Sequence, residues 1–246
     1  MTSRLFFAAE SALDGLAIGD TVSVTGEEAR HAVVVSRFTT GEVVRVADGS
    51  GQVVEGAIVV AEPELLSVMV EKIHESAAAA TRFVLLQALA KGGRDEQAVE
   101  AATELGVDAV IPWRADRSIV QWRGDRAVKA QRKWEALARA ASKQSRRPAV
   151  PPIEPVVTSK SVLSRLADAD AVIVLHEDAE QPIGEFDVPA GEVVIVVGPE
   201  GGISPGELSA FQDVGARPLR LGPTVLRASN AGPTALAILL SRTRWR

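Results

Sequence analysis

The chain has 246 residues, enough for one large domain or two modest ones that each bury a core. Hydrophobic residues make up 46% and charged residues 24%, an ordinary globular mixture, and the absence of cysteine excludes disulfides and thiolate metal sites. A net charge of −5 argues against a generally basic nucleic-acid binder, but the charge is uneven: residues 1–74 carry five Lys/Arg against eleven Asp/Glu.

The first seventy residues read as strands at 21–24, 42–47, 52–60 and 65–73, with one helix over 27–36. Asp48-Gly49-Ser50-Gly51 is a turn whose glycines reach positive φ at little cost. A small β-barrel with one helix is the simplest packing. Small residues without periodicity over 76–81 mark a seam between domains spanning 1–74 and 82–246.

From residue 82 strands alternate with helices: a buried strand at 83–89, a helix at 95–105 with Ala98, Ala102 and Leu105 on one face, and a strand at 108–111. Gly106 sits where a helix C-terminus favours glycine. Between Arg123 and Arg147 nine basic residues accompany only Asp125 and Glu135, on a predicted helix with an apolar stripe of Ala130, Trp134, Leu137 and Ala141. That helix is the place to expect a bound polyanion. Further strands at 171–175, 192–197 and 218–221 complete an α/β domain with a mostly parallel sheet. His31, His74 and His176 are too scattered for a metal centre, no apolar run spans a bilayer, and Met1-Thr2-Ser3-Arg4 opens no signal-type segment. A cytoplasmic protein without metal is expected.

The most informative segment runs from Val193 through Gly198-Pro199-Glu200-Gly201-Gly202 to Ile203-Ser204-Pro205-Gly206-Glu207. A buried strand enters a glycine-rich loop, and a helix opens with Ser204 as N-cap, Pro205 at its first position and Glu207 completing a capping box. Glycines at the carboxyl end of a strand let backbone amides approach a ligand, although a tight connection would also use them. A Walker loop would need Gly-Lys-Ser/Thr, and a dinucleotide fingerprint belongs after the first strand of its sheet. Gly202-Ile203-Ser204-Pro205-Gly206 imitates a serine-hydrolase elbow, but Pro205 has no N–H for an oxyanion hole and no histidine follows. A second segment, Leu221-Gly222-Pro223-Thr224-Val225-Leu226-Arg227-Ala228-Ser229-Asn230, precedes an apolar helix over 233–240 that Asn230 could cap. Arg227 offers a planar fork of donors there, or a plain surface ion pair.

The two glycine segments at this spacing resemble the RsmE family of the SPOUT superfamily, which makes 3-methyluridine in small-subunit ribosomal RNA. The similarity extends to Thr103-Glu104-Leu105-Gly106-Val107, to Gln144 with Arg147, and, in the first domain, to 31–38, Gly41 and 48–51. It covers nearly the whole chain. It implies a PUA-like RNA-binding barrel followed by a SPOUT α/β domain whose segment 221–230 is threaded into a trefoil knot, in a homodimer whose partner finishes each active site. It also implies S-adenosylmethionine as cofactor, with small-subunit rRNA or the assembled 30S subunit as partner. Leu175, His176, Gly198, Pro199, Glu200, Gly201, Gly202, Leu221, Gly222 and Leu226 are the expected cofactor residues. Arg227, Asn230 and Glu200 are the expected catalytic set, Glu200 as proton acceptor or only as organiser of its loop. Arg37, Lys91, Arg94, Lys129, Lys133, Lys143 and Arg147 are expected at the RNA. The chain departs from the family at Ala228-Ser229-Asn230, where Thr-Glu-Thr is usual, at Ala101 for lysine and at Lys143 for glutamate. Those departures motivate an alternative, a non-catalytic RNA-binding or ribosome-assembly factor on the same fold. A transfer-RNA methyltransferase is a weaker one, disfavoured by the first domain.

Overall fold

A computed structural model describes residues 4–74 and 79–246, so the seam expected over 76–81 lies partly outside the described residues. The chain forms two compact units, Met1–Ala78 with Ser142–Val150, and Ala79–Ala141 with Pro151–Arg246.

In the first unit, β1 (Leu5–Phe7), β2 (Thr21–Thr25), β3 (Val43–Ala47), β4 (Val53–Glu62) and β5 (Leu65–His74) form one sheet in the order β1-β3-β4-β5-β2. All its pairs are antiparallel except β1 with β3. The alternation in β2 buries Val22 and Val24 and exposes the residues between them, as a half-buried strand requires. Val44, Val46, Val54, Ile58, Leu66 and Val68 complete the apolar face on which the sheet curls. At the β3–β4 turn Asp48 Oδ1 accepts from the Ser50 amide at 2.9 Å, and Gly49 and Gly51 take φ of 92° and 109°. The helix expected over 27–36 is two elements, α1 (Gly26–Arg30) and a π-helical turn, His31–Val35. Apolar period does not distinguish an α-helix from one widened by a residue. The register of β4 on β5 slips at Gly56, whose missing Cβ would lie 1.8 Å from the Met69 carbonyl oxygen.

The second unit holds β6 (Thr81–Ala88), α2 (Arg94–Leu105), β7 (Ala109–Arg114), α3 (Asp125–Gln144), β8 (Val157–Thr158), α4 (Leu163–Ala167), β9 (Ala171–Leu175), β10 (Gly191–Val197), α5 (Pro205–Asp213), β11 (Arg217–Leu219) and α6 (Ala228–Ser241). Residues 142–144 of α3 group with the first unit. The six strands form a wholly parallel sheet, β11-β9-β10-β6-β7-β8. Its central strands are unbroken apolar runs because both faces are covered. Val84, Leu86, Val194 and Val196 join Leu166 and Phe211 in one core. On the other face α6 lies so close that a Cβ on Gly232 would meet Leu85 Cδ1 at 2.9 Å and Val197 Cγ2 at 3.3 Å. Gly106 ends α2 with φ of 115°, where a side chain would be strained.

Two further expectations change. The buried stripe of α3 is Trp134, Ala138 and Ala141, with Ala130 and Leu137 only half-buried at its margin. The C-terminal helix begins at Ala228 with Arg227 as N-cap, so Asn230 lies inside it and Pro233 in its second turn. Proline suggests a helix start, but here the buried packing of 228–232 carries the helix a full turn before it. Among the described residues no helix is long and apolar enough to cross a membrane, and no cluster of His, Asp and Glu could hold a metal ion.

Candidate active site

In a wholly parallel sheet every strand delivers its carboxyl end to the same edge. Three loops converge there: 175–178 after β9, 198–203 after β10 and 220–227 after β11. They line a cleft of about 810 Å³.

The loop after β10 is shaped by α5. Ser204 Oγ accepts from the Glu207 amide at 3.2 Å, and the Glu207 carboxylate accepts from the Ser204 amide at 2.9 Å, the reciprocal cap anticipated from the sequence. Glu207 is buried and also accepts from the Asp116 amide at 2.7 Å and Ser159 Oγ at 2.5 Å. Burial pushes its carboxyl up, but the Ser159 hydroxyl, the Asp116 and Ser204 amides and the Ser204 hydroxyl outweigh that and hold it below the ordinary range. The charged form fixes the start of α5, and with it the end of the glycine loop.

Each glycine of this loop has its own reason. A Cβ on Gly198 would meet Ile203 Cγ1 at 2.7 Å, and Gly202 takes φ of 72° while its amide closes a turn on the Pro199 carbonyl at 2.9 Å. Gly201 lies against Arg117: its Cβ would be 3.1 Å from Arg117 Cβ, and its carbonyl accepts from Arg117 Nη1 at 3.0 Å. Glu200 accepts from Arg94 Nη1 at 2.9 Å and from the Lys91 amide at 3.2 Å. Burial raises its carboxyl, but its own amide, Arg94 and Lys91 together bring it below the usual value.

The loop after β11 is open. Its entry is pinned where the His176 amide donates to the Leu219 carbonyl at 3.1 Å and the Ile183 amide to the Arg220 carbonyl at 2.9 Å. Beyond that, the amides of Gly222, Val225 and Leu226 find no acceptor among the described residues. A Cβ on Gly222 would meet nothing within 4 Å, and Val225 is 74% exposed.

All ten residues expected at the cofactor, Glu200 among them, line this cleft, as do Arg227 and Arg94. Asn230 stands in the first turn of α6 outside the lining, its Oδ1 accepting from Ser229 Oγ at 3.1 Å. The remaining basic candidates lie elsewhere. Lys129 is exposed on α3, Lys133 pairs with Glu96 at 2.6 Å, Lys143 pairs with Glu28, and Arg37 is exposed with φ of 59°. Arg147 groups with the first unit, and Lys91 meets the loop through its backbone. Arg117, Glu177, Asp178 and Arg220 also line the cleft without having been expected there. Arg117 had no signal of its own in the sequence: its place depends on β7 running to Arg114 rather than to residue 111, which puts 115–118 at the carboxyl edge of the sheet.

The match to known proteins is extensive. Residues 77–240 fit the family model described as an RNA methyltransferase domain. The chain is 39% identical to a Mycobacterium bovis protein named ribosomal RNA small subunit methyltransferase E, over 92% of this chain and 89% of that one. The identically named Bacillus subtilis protein is 29% identical, over 91% of each. The crystal structure of a ribosomal RNA small subunit methyltransferase E from Neisseria gonorrhoeae bound to S-adenosyl methionine superposes with a TM-score of 0.86 at 25% identity, covering 98% of both chains. A putative methyltransferase from Legionella pneumophila in complex with the same cofactor gives 0.84 at 25% identity over 98% of both. This chain belongs to the RNA methyltransferase family, among the ribosomal RNA small subunit methyltransferases E.

Proposed function

We propose that the protein transfers a methyl group from S-adenosylmethionine to N3 of a uridine in small-subunit (16S) ribosomal RNA. The observation that carries this reading is the cleft, where three loops meet at one sheet edge and the glycines of two of them bring backbone to the lining. The cofactor fits such a cleft: Gly222 faces open space, and amides of the second loop, those of Gly222, Val225 and Leu226 among them, have no acceptor among the described residues. We assign Leu175, His176, Gly198, Pro199, Gly201, Gly202, Leu221, Gly222 and Leu226 to holding it, with residues 82–246 as a SPOUT domain. A trefoil knot is supported by the path of the chain, which leaves edge strand β11 and returns over β6 and β10 as α6. The curled five-stranded sheet supports a PUA-like RNA-binding barrel over 1–74.

When bound, the cofactor supplies an electrophilic methyl on a sulfonium; the chain's own task is alignment and management of the N3 proton. Glu200 is poorly suited as a base, because Arg94 and two amides stabilise its charged form. We assign it the organising role: it ties the glycine loop to the start of α2. Arg227, exposed at the rim with no carboxylate partner among the described residues, suits stabilisation of charge on the uracil or a neighbouring phosphate. The Asn230 side-chain nitrogen has no acceptor among the described residues, and although Asn230 stands just outside the cleft lining we assign that nitrogen to a uracil carbonyl, the side-chain oxygen being held by Ser229. The enzyme works in the cytoplasm as a homodimer, on free rRNA or the 30S subunit.

The test is transfer of a radiolabelled methyl group to small-subunit rRNA from cells lacking this gene, with mass spectrometry locating one methylated uridine. Binding of RNA and cofactor with no transfer at all would instead establish the assembly-factor reading.

A further inference from the structure

Seven charged side chains line the cleft, four of them arginines: Arg94, Arg117, Arg220 and Arg227. Only Arg94 has a carboxylate within 4 Å, Glu200 at 2.9 Å; the other three have none among the described residues. Glu177 and Asp178 share the lining without reaching any of them. Unpaired arginines on an open surface are unremarkable. In a concave site, by contrast, guanidinium donors without a carboxylate partner are open to an anion that enters the cleft.

Of the three arginines without a carboxylate, Arg117 alone is anchored among the described residues. Its Cβ and carbonyl pack beneath Gly201, and one Nη1–H is committed to the Gly201 carbonyl at 3.0 Å. The neighbouring carboxylate is turned away, since Asp116 accepts from Ser204 Oγ at 3.2 Å while its amide donates to Glu207. A guanidinium carries five N–H donors in a rigid fork, so most of them stay available on a group whose position is already fixed. Little conformational entropy remains to be lost when an anion docks there. Arg220 stands across the cleft: it follows edge strand β11, whereas Arg117 follows β7, with β9, β10 and β6 between them.

We propose that Arg117 is a positioning residue that takes a phosphate of the target RNA while holding the Gly201 carbonyl, with Arg220 taking a second phosphate at the opposite rim, so that RNA and cofactor each stabilise the glycine loop for the other. This rests on the function proposed above. The linkage is reciprocal: RNA tightens the cofactor by the factor by which the cofactor tightens RNA. The anion could instead be the carboxylate of the cofactor's methionine moiety, and the experiment separates the two.

Arg117→Gln, Arg117→Lys and Arg220→Gln are compared with the parent in three measurements: affinity for small-subunit rRNA as a function of salt, affinity for S-adenosylmethionine with and without that RNA, and KM against kcat for methyl transfer. Each Gln variant is expected to raise KM for RNA and flatten the logarithmic salt slope by about 0.7, one single-stranded phosphate contact. Arg220→Gln leaves cofactor affinity without RNA unchanged. Arg117→Gln removes the tightening of the cofactor by RNA. Arg117→Lys recovers the salt slope but not the full tightening, because an ammonium lacks the planar fork. Parental slopes, KM and linkage in both Gln variants would overturn the proposal, as would a loss of cofactor affinity without RNA in Arg220→Gln, which assigns the arginines to the cofactor carboxylate. A parent that methylates no rRNA would overturn the functional reading itself, a result separate from either.

Discussion

Glycines with identical sequence signals have different physical duties here. Gly198 and Gly201 are small because protein atoms occupy the space a side chain would need, and Gly202 because its φ is 72°. Gly222 has neither constraint, since its Cβ would meet nothing and its φ is not in the left-handed region. That contrast makes a test. Gly222→Val should change the unfolding free energy by no more than about 0.5 kcal/mol, the range of an unhindered surface substitution. It should weaken S-adenosylmethionine binding at least tenfold, because a ligand is the only thing left to collide with. Chemical denaturation and titration calorimetry on the same variant check both halves. Gly201→Val is less informative, because it displaces Arg117 whether or not a ligand uses the loop.

At the scale of elements, the sequence was most legible where a pattern had one physical cause. Buried parallel strands are continuous apolar runs, and the cap of α5 matched bond for bond because Ser204, Pro205 and Glu207 each act within one turn. Elements set by tertiary packing were not legible. The two residues of β8 carry too little period to notice, α6 starts early because 228–232 pack inward, and the π-helical turn after α1 has the composition of any helix. The site followed the same division. Loops that contribute backbone were found from glycine, whereas Arg117 and Arg220 depended on where β7 and β11 end. The basic helix α3 illustrates a limit of counting charges. Lys133 and Lys143 are engaged with Glu96 and Glu28, and reversing them breaks pairs that contribute up to about 1 kcal/mol each at the surface. Lys129 is exposed and has no ion pair among the described residues. Lys129→Glu should therefore weaken RNA binding and flatten its salt dependence without altering thermal stability or cofactor affinity. Filter binding over a salt series measures this, and an unchanged slope would leave the helix as a solvated face.

For the whole molecule, the proposed dimer predicts a mass near twice 25.9 kDa by light scattering at assay concentration, with a single C2 interface. Val225, 74% exposed at the rim of the cleft, is the residue whose burial in the dimer would show that the partner closes the site; hydrogen exchange of the 221–227 loop on dilution checks it. The first unit has a different dependence, on its own chain. Residues 142–150 belong to it: Ala149 bridges Gly49 and Ser50, the Val150 amide donates to the Gly49 carbonyl at 2.9 Å, and Lys143 pairs with Glu28. During synthesis, domains generally fold as units from the N-terminus onward. Here more than half of the 246 residues must leave the ribosome before the first unit can close its last contacts. Its early sheet must wait, nearly finished, while β6, α2, β7 and most of α3 are made.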